Sequence, residues 1–202
     1  MPGIAWCLNK VILVATATLI GAFFPHWVTD YALIWQGPDV SSHAVVTSLA
    51  YYSHLYHAPY FYVATLSTLA GAALASSAVR LVLNPVSGLL FDGATFLLLV
   101  SAASVYISNV LAALRYLPLS QLPPFSTASL DSLGQVRLTE ALQSIAASNM
   151  IIAVSLTGVL MLQGAQGYAD RPSSVEKAIT PTGAVPASTT APIPSKGEKA
   201  PE

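Results

Sequence analysis

Long apolar stretches separated by charged residues dominate the pattern of the 202-residue chain. The stretches without a charged residue contain 19, 40, 22 and 29 residues, and they run from Val11 to Thr29, Val40 to Val79, Gly93 to Leu114 and Ala141 to Ala169. A helix needs about 20 mostly apolar residues to cross a bilayer. The second stretch is too long for one helix and is interrupted by histidines and Pro59, so its helix is placed after that proline. The pattern predicts four membrane-spanning helices, at residues 8–28, 60–81, 88–113 and 142–168.

Each predicted span must be α-helical, because a lipid-exposed backbone cannot leave its polar groups unpaired. The predicted fold is therefore all-α, a four-helix transmembrane bundle that occupies residues 1–171. Residues 172–202 are rich in Pro, Ala, Ser and Thr and show no apolar periodicity. This composition predicts a disordered C-terminal tail.

Composition supports a membrane protein, since 54% of the residues are hydrophobic and only 8% are charged. The net charge of -1 gives no basic footprint and argues against nucleic-acid binding. The basic residues divide six to two between the sides of the predicted bundle: Lys10, Arg80, Arg171, Lys177, Lys196 and Lys199 share one side, and Arg115 and Arg137 the other. The positive-inside rule then places both termini and the tail in the cytosol.

Catalytic and metal-binding motifs are not evident: the chain has no nucleophile elbow, HExxH motif, phosphate-binding glycine loop or paired carboxylates within a predicted helix. We therefore expect no enzyme activity, no metal and no cofactor. His54 and His57 have the spacing of metal ligands on one helical face, but the interleaved tyrosines favour an aromatic segment at the membrane interface. Asp30 either accepts hydrogen bonds or is solvated, and the sequence leaves both readings open.

Small residues on the predicted second span allow close approach of another helix. Gly71 and Ala75 form a small-xxx-small pair. Two interpretations remain open at this point. The pair either packs inside the bundle or docks the membrane helices of another protein.

Amide residues in the last two spans lie at matching depths when a rise of about 1.5 Å per residue is applied. Asn109 and Asn149 lie about 9 and 10 Å from the centres of their helices on one side. Asp92 and Gln166 lie about 15 to 16 Å to the other side, and Gln163 lies about one turn deeper. The sequence predicts that Asn109 faces Asn149 across antiparallel helices, with Asp92 near Gln163 or Gln166. The alternative is that Asn149 points outward as a client contact.

Four segments together resemble the fungal secretory-component family, the endoplasmic-reticulum packaging chaperones of amino acid permeases. They are "LFDGATFLLLVSAASVYISNVLAALR" at 90–115, "AASNMIIAVSLTGVLMLQGAQGYADR" at 146–171, and "DYALIW" and "YYSHLYHAP" in the first loop. The resemblance spans most of residues 23–171.

The resemblance implies a four-helix protein of the endoplasmic-reticulum membrane with cytosolic termini. It also implies that the protein shields newly made amino acid permeases from aggregation, and that its tail contacts vesicle-coat components. Two other classes stay open. A structural four-span protein of the claudin type would carry paired cysteines in its first loop, which this chain lacks, and a small transporter subunit would show substrate flux.

Overall fold

Four long apolar helices, with one short helix beside them, make up the computed structural model, which describes residues 2–35, 40–83, 89–118 and 132–169. The helices are α1 (Pro2–Ile34), α2 (Ser42–Tyr56), α3 (Tyr60–Leu83), α4 (Leu89–Val105), α5 (Leu111–Leu114) and α6 (Ser132–Ala169), and a π-helix (Tyr106–Val110) joins α4 to α5. The described residues contain no strand, so the predicted all-α class is confirmed. The predicted tail, 172–202, lies outside the described residues.

Four segments are long and apolar enough to cross a membrane, which confirms the predicted number of spans: Gly3–Ile34, Tyr60–Leu83, Leu89–Leu114 and Leu133–Ala169. They form a ring in which α1 and α4 each pack against both α3 and α6. Contacts between distant positions show that α3 and α6 run antiparallel to α1 and α4. Asn9 near the start of α1 meets Arg80 near the end of α3, and Thr95 early in α4 meets Gln163 late in α6.

The interior of the bundle is apolar over most of its length. Helix α6 contributes the largest share, with Leu142, Ile145, Ile152, Leu156 and Val159 almost fully buried. Close packing requires a glycine at one position, because a Cβ on Gly158 would lie 3.0 Å from Leu98 Cδ1 of α4.

Two spans are longer than the sequence pattern indicates. Helix α1 extends six residues beyond the predicted 8–28 at each end, and α6 begins at Ser132 rather than at 142. The prediction began the fourth span after Glu140, because a charge is costly inside hydrocarbon. In the structure Arg137 and Glu140 are exposed on this extension, while Leu138 is buried beside them. The helix therefore continues past the apolar stretch, with its charged side chains facing outward.

Helix α2 lies outside the ring and packs against α1 and α6. The Ser41 side chain caps its start by accepting a hydrogen bond of 3.1 Å from the Ala44 backbone amide. It ends before Pro59, consistent with the helix-breaking effect of proline on the preceding residue. Leu49 and Tyr52 are buried on its inner face. The sequence places an aromatic interfacial segment here without predicting that it is helical.

Candidate functional site: two buried polar clusters

A buried arginine organises one end of the bundle. Arg80, 4% exposed, forms an ion pair of 2.8 Å with Asp92, which is 1% exposed. The guanidinium also donates hydrogen bonds to side-chain oxygens of Asn9 at 2.7 Å, Gln163 at 3.1 Å and Gln166 at 2.9 Å. Each of the four spans contributes to this set, which we name the Arg80 cluster.

The amide of Gln163 extends the Arg80 cluster inward. Its Nε2 donates a 2.9 Å hydrogen bond to the hydroxyl of Thr95, which is fully buried. Charge-assisted hydrogen bonds of a planar guanidinium to several partners are geometrically specific, so this cluster fixes the register of the four helices against one another.

A second cluster, the Asp30 cluster, lies at the other end of the bundle. Tyr52 donates a 2.6 Å hydrogen bond to Asp30 Oδ1, and Asn149 Nδ2 donates to Asp30 Oδ2 and to the Tyr52 hydroxyl, both at 2.9 Å. All three residues are at most 5% exposed. The three side chains tie α2 to α1 and α6. Of the two readings left open for Asp30, hydrogen bonding is confirmed.

Tyr51 and Tyr52 of α2 stay protonated and can act as donors. Burial raises the pKa of the Tyr52 hydroxyl well above its ordinary value, and the charge of Asp30 raises it further. Burial also raises the pKa of Tyr51 to about 12. A neutral Tyr52 at physiological pH is the state that donates to the carboxylate, so the Asp30 cluster does not depend on tyrosine ionisation.

The two clusters lie on either side of the bundle's middle. Asn149 and Gln163 each lie seven residues from Leu156 along α6, or about 10 Å in opposite directions. The hydrocarbon core of a bilayer is about 30 Å thick. On α1 the clusters are farther apart, at Asn9 and Asp30, which are separated by 21 residues or about 31 Å. The two clusters therefore lie near the two boundaries of the hydrocarbon.

The structure brings together some of the residues singled out in the sequence. Asp92, Gln163 and Gln166 meet at the Arg80 guanidinium. The sequence placed the acid and the amides at one end but not the arginine between them, because Arg80 was read only as a charge flanking its span.

The predicted pairing of Asn109 with Asn149 is wrong. Asn149 is buried and bonded to Asp30 and Tyr52, whereas Asn109 is exposed and its side-chain oxygen accepts a 3.1 Å hydrogen bond from Ser108. Asn109 lies in the π-helix, in which the Leu111 amide bonds to the Tyr106 carbonyl five residues earlier. This wider turn carries one extra residue and rotates later positions by about 100°.

Val110, and not Asn109, takes the inward position at this level of the third span. Ala102 is buried, and seven residues later an α-helix would return Asn109 to the same face. Val110 is buried there instead, at 5% exposure. Asn109 thus presents its amide on the outer surface of the bundle, at about the depth of Asn149.

The small-residue pair on α3 also faces outward. Gly71 and Ala75 are both exposed, and a Cβ on Gly71 would meet nothing within 4 Å. Packing inside the bundle, one of the two interpretations of this pair, does not hold for the described residues. Their neighbour Ser76 is buried and takes the inner face.

His54 lies near the end of α2, and His57 directly follows the helix. His57 Nδ1 lies 2.8 Å from the Ser53 backbone carbonyl oxygen, and the His54 side chain is exposed. No group of three or more His, Cys, Asp or Glu side chains that could hold a metal ion occurs within the described part of the chain.

Functional residues that the sequence reading missed are Asn9, Tyr52, Arg80 and Thr95. Depth matching, applied to Asn109 and Asn149, would have found Arg80 as well, because it lies only twelve residues before Asp92, with Pro and Gly between them. Tyr52 carried no such signal, since α2 was not predicted as a helix.

Comparison with known proteins gives one match. The family model for the SHR3 chaperones, described as "ER membrane protein SH3", matches residues 4–188. No curated protein and no solved structure matches the chain significantly. The matched range includes all four spans and both polar clusters.

Proposed function

The chain belongs to the SHR3 chaperone family of endoplasmic-reticulum membrane proteins, and on this premise we propose that it assists the folding of newly made amino acid permeases and their packaging into coat vesicles. The family match over residues 4–188 is the observation that carries this proposal. The family is one of chaperones rather than of enzymes. The protein is accordingly a multi-pass protein of the endoplasmic-reticulum membrane, with lipid and membrane proteins around it.

The division between interior and surface supports a chaperone role. Inside the bundle, Arg80 pairs with Asp92, and Asn149 bonds to Asp30. These contacts give the bundle a defined shape. The outer surface keeps small residues and an amide at membrane depth. Small residues and amides are the groups through which helices associate in lipid, where apolar surface alone gives no preference.

We assign roles to the polar and small residues singled out in the sequence accordingly. Asp92, Asn149, Gln163 and Gln166 hold the bundle together, whereas Gly71, Ala75 and Asn109 are candidate contacts for permease helices. This assignment is supported by the exposure of the second group and the bonding of the first.

We further propose that both termini are cytosolic and that the tail contacts vesicle-coat components. The antiparallel order supports this orientation, since Lys10 and Arg80 lie at one end of the bundle and Arg115 and Arg137 at the other. Residues 172–202 would then extend from the cytosolic face, where coat proteins assemble.

Deleting the gene and following the location of permeases tests the proposed function. We expect amino acid permeases to accumulate in the endoplasmic reticulum while unrelated membrane cargo reaches the cell surface. Normal arrival of the permeases at the surface would contradict the proposal.

Variants separate the surface contacts from folding. Gly71→Leu should reduce permease export, because the larger side chain blocks close approach of a client helix. Gly21→Leu is the matched control, since Gly21 of α1 is also exposed with nothing within 4 Å. Equal loss of export in both variants would argue against a contact specific to α3.

A further inference from the structure

A groove of about 410 Å³ opens on the outer surface between α1 and α6. Apolar side chains line most of it, among them Trp27, Val154 and Met161, while Asp30 and Asn149 supply polar groups at one end. The α6 residues that line it run from Asn149 to Met161, a length of about 18 Å. The Asp30 cluster therefore closes one end of this groove, with the Asp30 side chain only 2% exposed.

The charge of Asp30 is not balanced by a cation among the described residues. Asp92, at the other end of the bundle, is paired with Arg80 at 2.8 Å. Asp30 is buried to a similar degree but has only the two neutral donors, Tyr52 and Asn149. A carboxylate can accept about four hydrogen bonds, so two donors leave part of its capacity unused.

Newly inserted helices of many-helix transporters can carry the opposite charge, a basic side chain that has no partner yet. Ionisable residues inside membrane spans are costly and pair with one another only when the helices have assembled. Before assembly, a basic side chain on such a helix lacks its partner. A fixed carboxylate near the boundary of the hydrocarbon, at the end of an apolar groove, is a group that would stabilise it.

We propose that the groove between α1 and α6 receives a client membrane helix carrying Lys or Arg, whose cationic side chain pairs with Asp30. This inference rests on the proposed chaperone function and names the chemistry of the client segment. The apolar length of the groove accommodates about three turns of the client helix, and the carboxylate selects for positive charge. Anionic lipid headgroups are disfavoured by the same charge.

Photocross-linking in proteoliposomes tests the proposal with the full chain. A photoreactive residue replaces Met161, which lines the groove and is 71% exposed, or Leu97 of α4, which lies outside it and is 65% exposed. The probes are synthetic Leu/Ala transmembrane peptides with Lys, Leu or Glu seven residues from the centre. We expect the Lys peptide to label position 161 about tenfold more than the Leu peptide, equivalent to about 1.4 kcal/mol. Position 97 should not discriminate between the peptides.

Substitutions at the polar end establish the cause. Asp30→Asn should bring labelling by the Lys peptide down to the level of the Leu peptide, and Asp30→Glu should preserve the preference. Because Asp30→Asn could disturb folding, Tyr52→Phe serves as a second variant that removes a hydrogen bond but keeps the carboxylate. It should keep or strengthen the preference for Lys.

Three outcomes would overturn the proposal: equal labelling by the Lys and Leu peptides, a Lys preference that survives Asp30→Asn, or occupation of position 161 by a second copy of the chain or a photoreactive sterol that excludes the peptide. Permease export that depends on the protein but not on Asp30 would reject the groove proposal and leave the chaperone function standing.

Discussion

Removing one charge of the Arg80–Asp92 pair should destabilise the bundle more than removing both. Breaking a buried ion pair from one side costs about 3–5 kcal/mol, because a charge stays buried without its counter-charge. Arg80→Leu leaves the 1%-exposed Asp92 carboxylate without the guanidinium, and we expect a loss within this range. Asp92→Leu leaves Arg80 its three amide partners and should lie near the lower end.

The double variant Arg80→Leu/Asp92→Leu removes both buried charges together. Replacing a buried pair by apolar side chains is often nearly neutral. The loss of stability should then be smaller than for either single variant. It would come mainly from the amides of Asn9, Gln163 and Gln166, which would lose their bonds to the guanidinium. Gln163 keeps its bond to Thr95.

Reversible unfolding of the purified protein in mixed micelles, followed by circular dichroism, measures these free energies. The double-mutant cycle should give a coupling energy of several kcal/mol, on the order of the single losses. Additive losses, with the double variant the least stable of the three, would refute the view that this ion pair organises the bundle.

Three further predictions concern the interior, the packing and the orientation. Asn149→Leu should lower stability by about 1–3 kcal/mol, because two interhelical hydrogen bonds are lost and Asp30 keeps only Tyr52, whereas the exposed Asn109→Leu should leave unfolding unchanged. Gly158→Val should cost about 1–3 kcal/mol through overlap with Leu98, and Gly164→Val, which meets nothing within 4 Å, is its control in thermal unfolding. A glycosylation acceptor near Ser41 or Thr127 should be modified, and one after Pro172 should not. The reverse pattern would overturn the cytosolic placement of the termini.

The sequence predicted the number and type of spans because apolar length is a direct requirement of the bilayer. It also placed Asp92 and the two glutamines at one end, since depth follows from a constant rise per residue. Depth does not determine which way a side chain points. Asn109, in the π-helix at Tyr106–Val110, faces outward, and no local pattern in "YISNV" announces that helix.

The Asp30 cluster was beyond sequence reasoning for a different reason. Its three members come from α1, α2 and α6, and they meet only when α2 folds back onto the bundle. Residues separated by 22 and 119 positions share no spacing that identifies a contact. The helical nature of α2 was itself obscured by its histidines and tyrosines, which read as an interfacial segment.

The most direct test of the chaperone role is the state of a permease synthesised in a cell-free system with endoplasmic-reticulum membranes. Membranes that lack this protein should yield permease that sediments as aggregates after mild solubilisation, and restoring the full chain should return it to a monodisperse form. An unrelated membrane protein should be monodisperse in both preparations. The same aggregated fraction of permease with and without the chain would contradict the account.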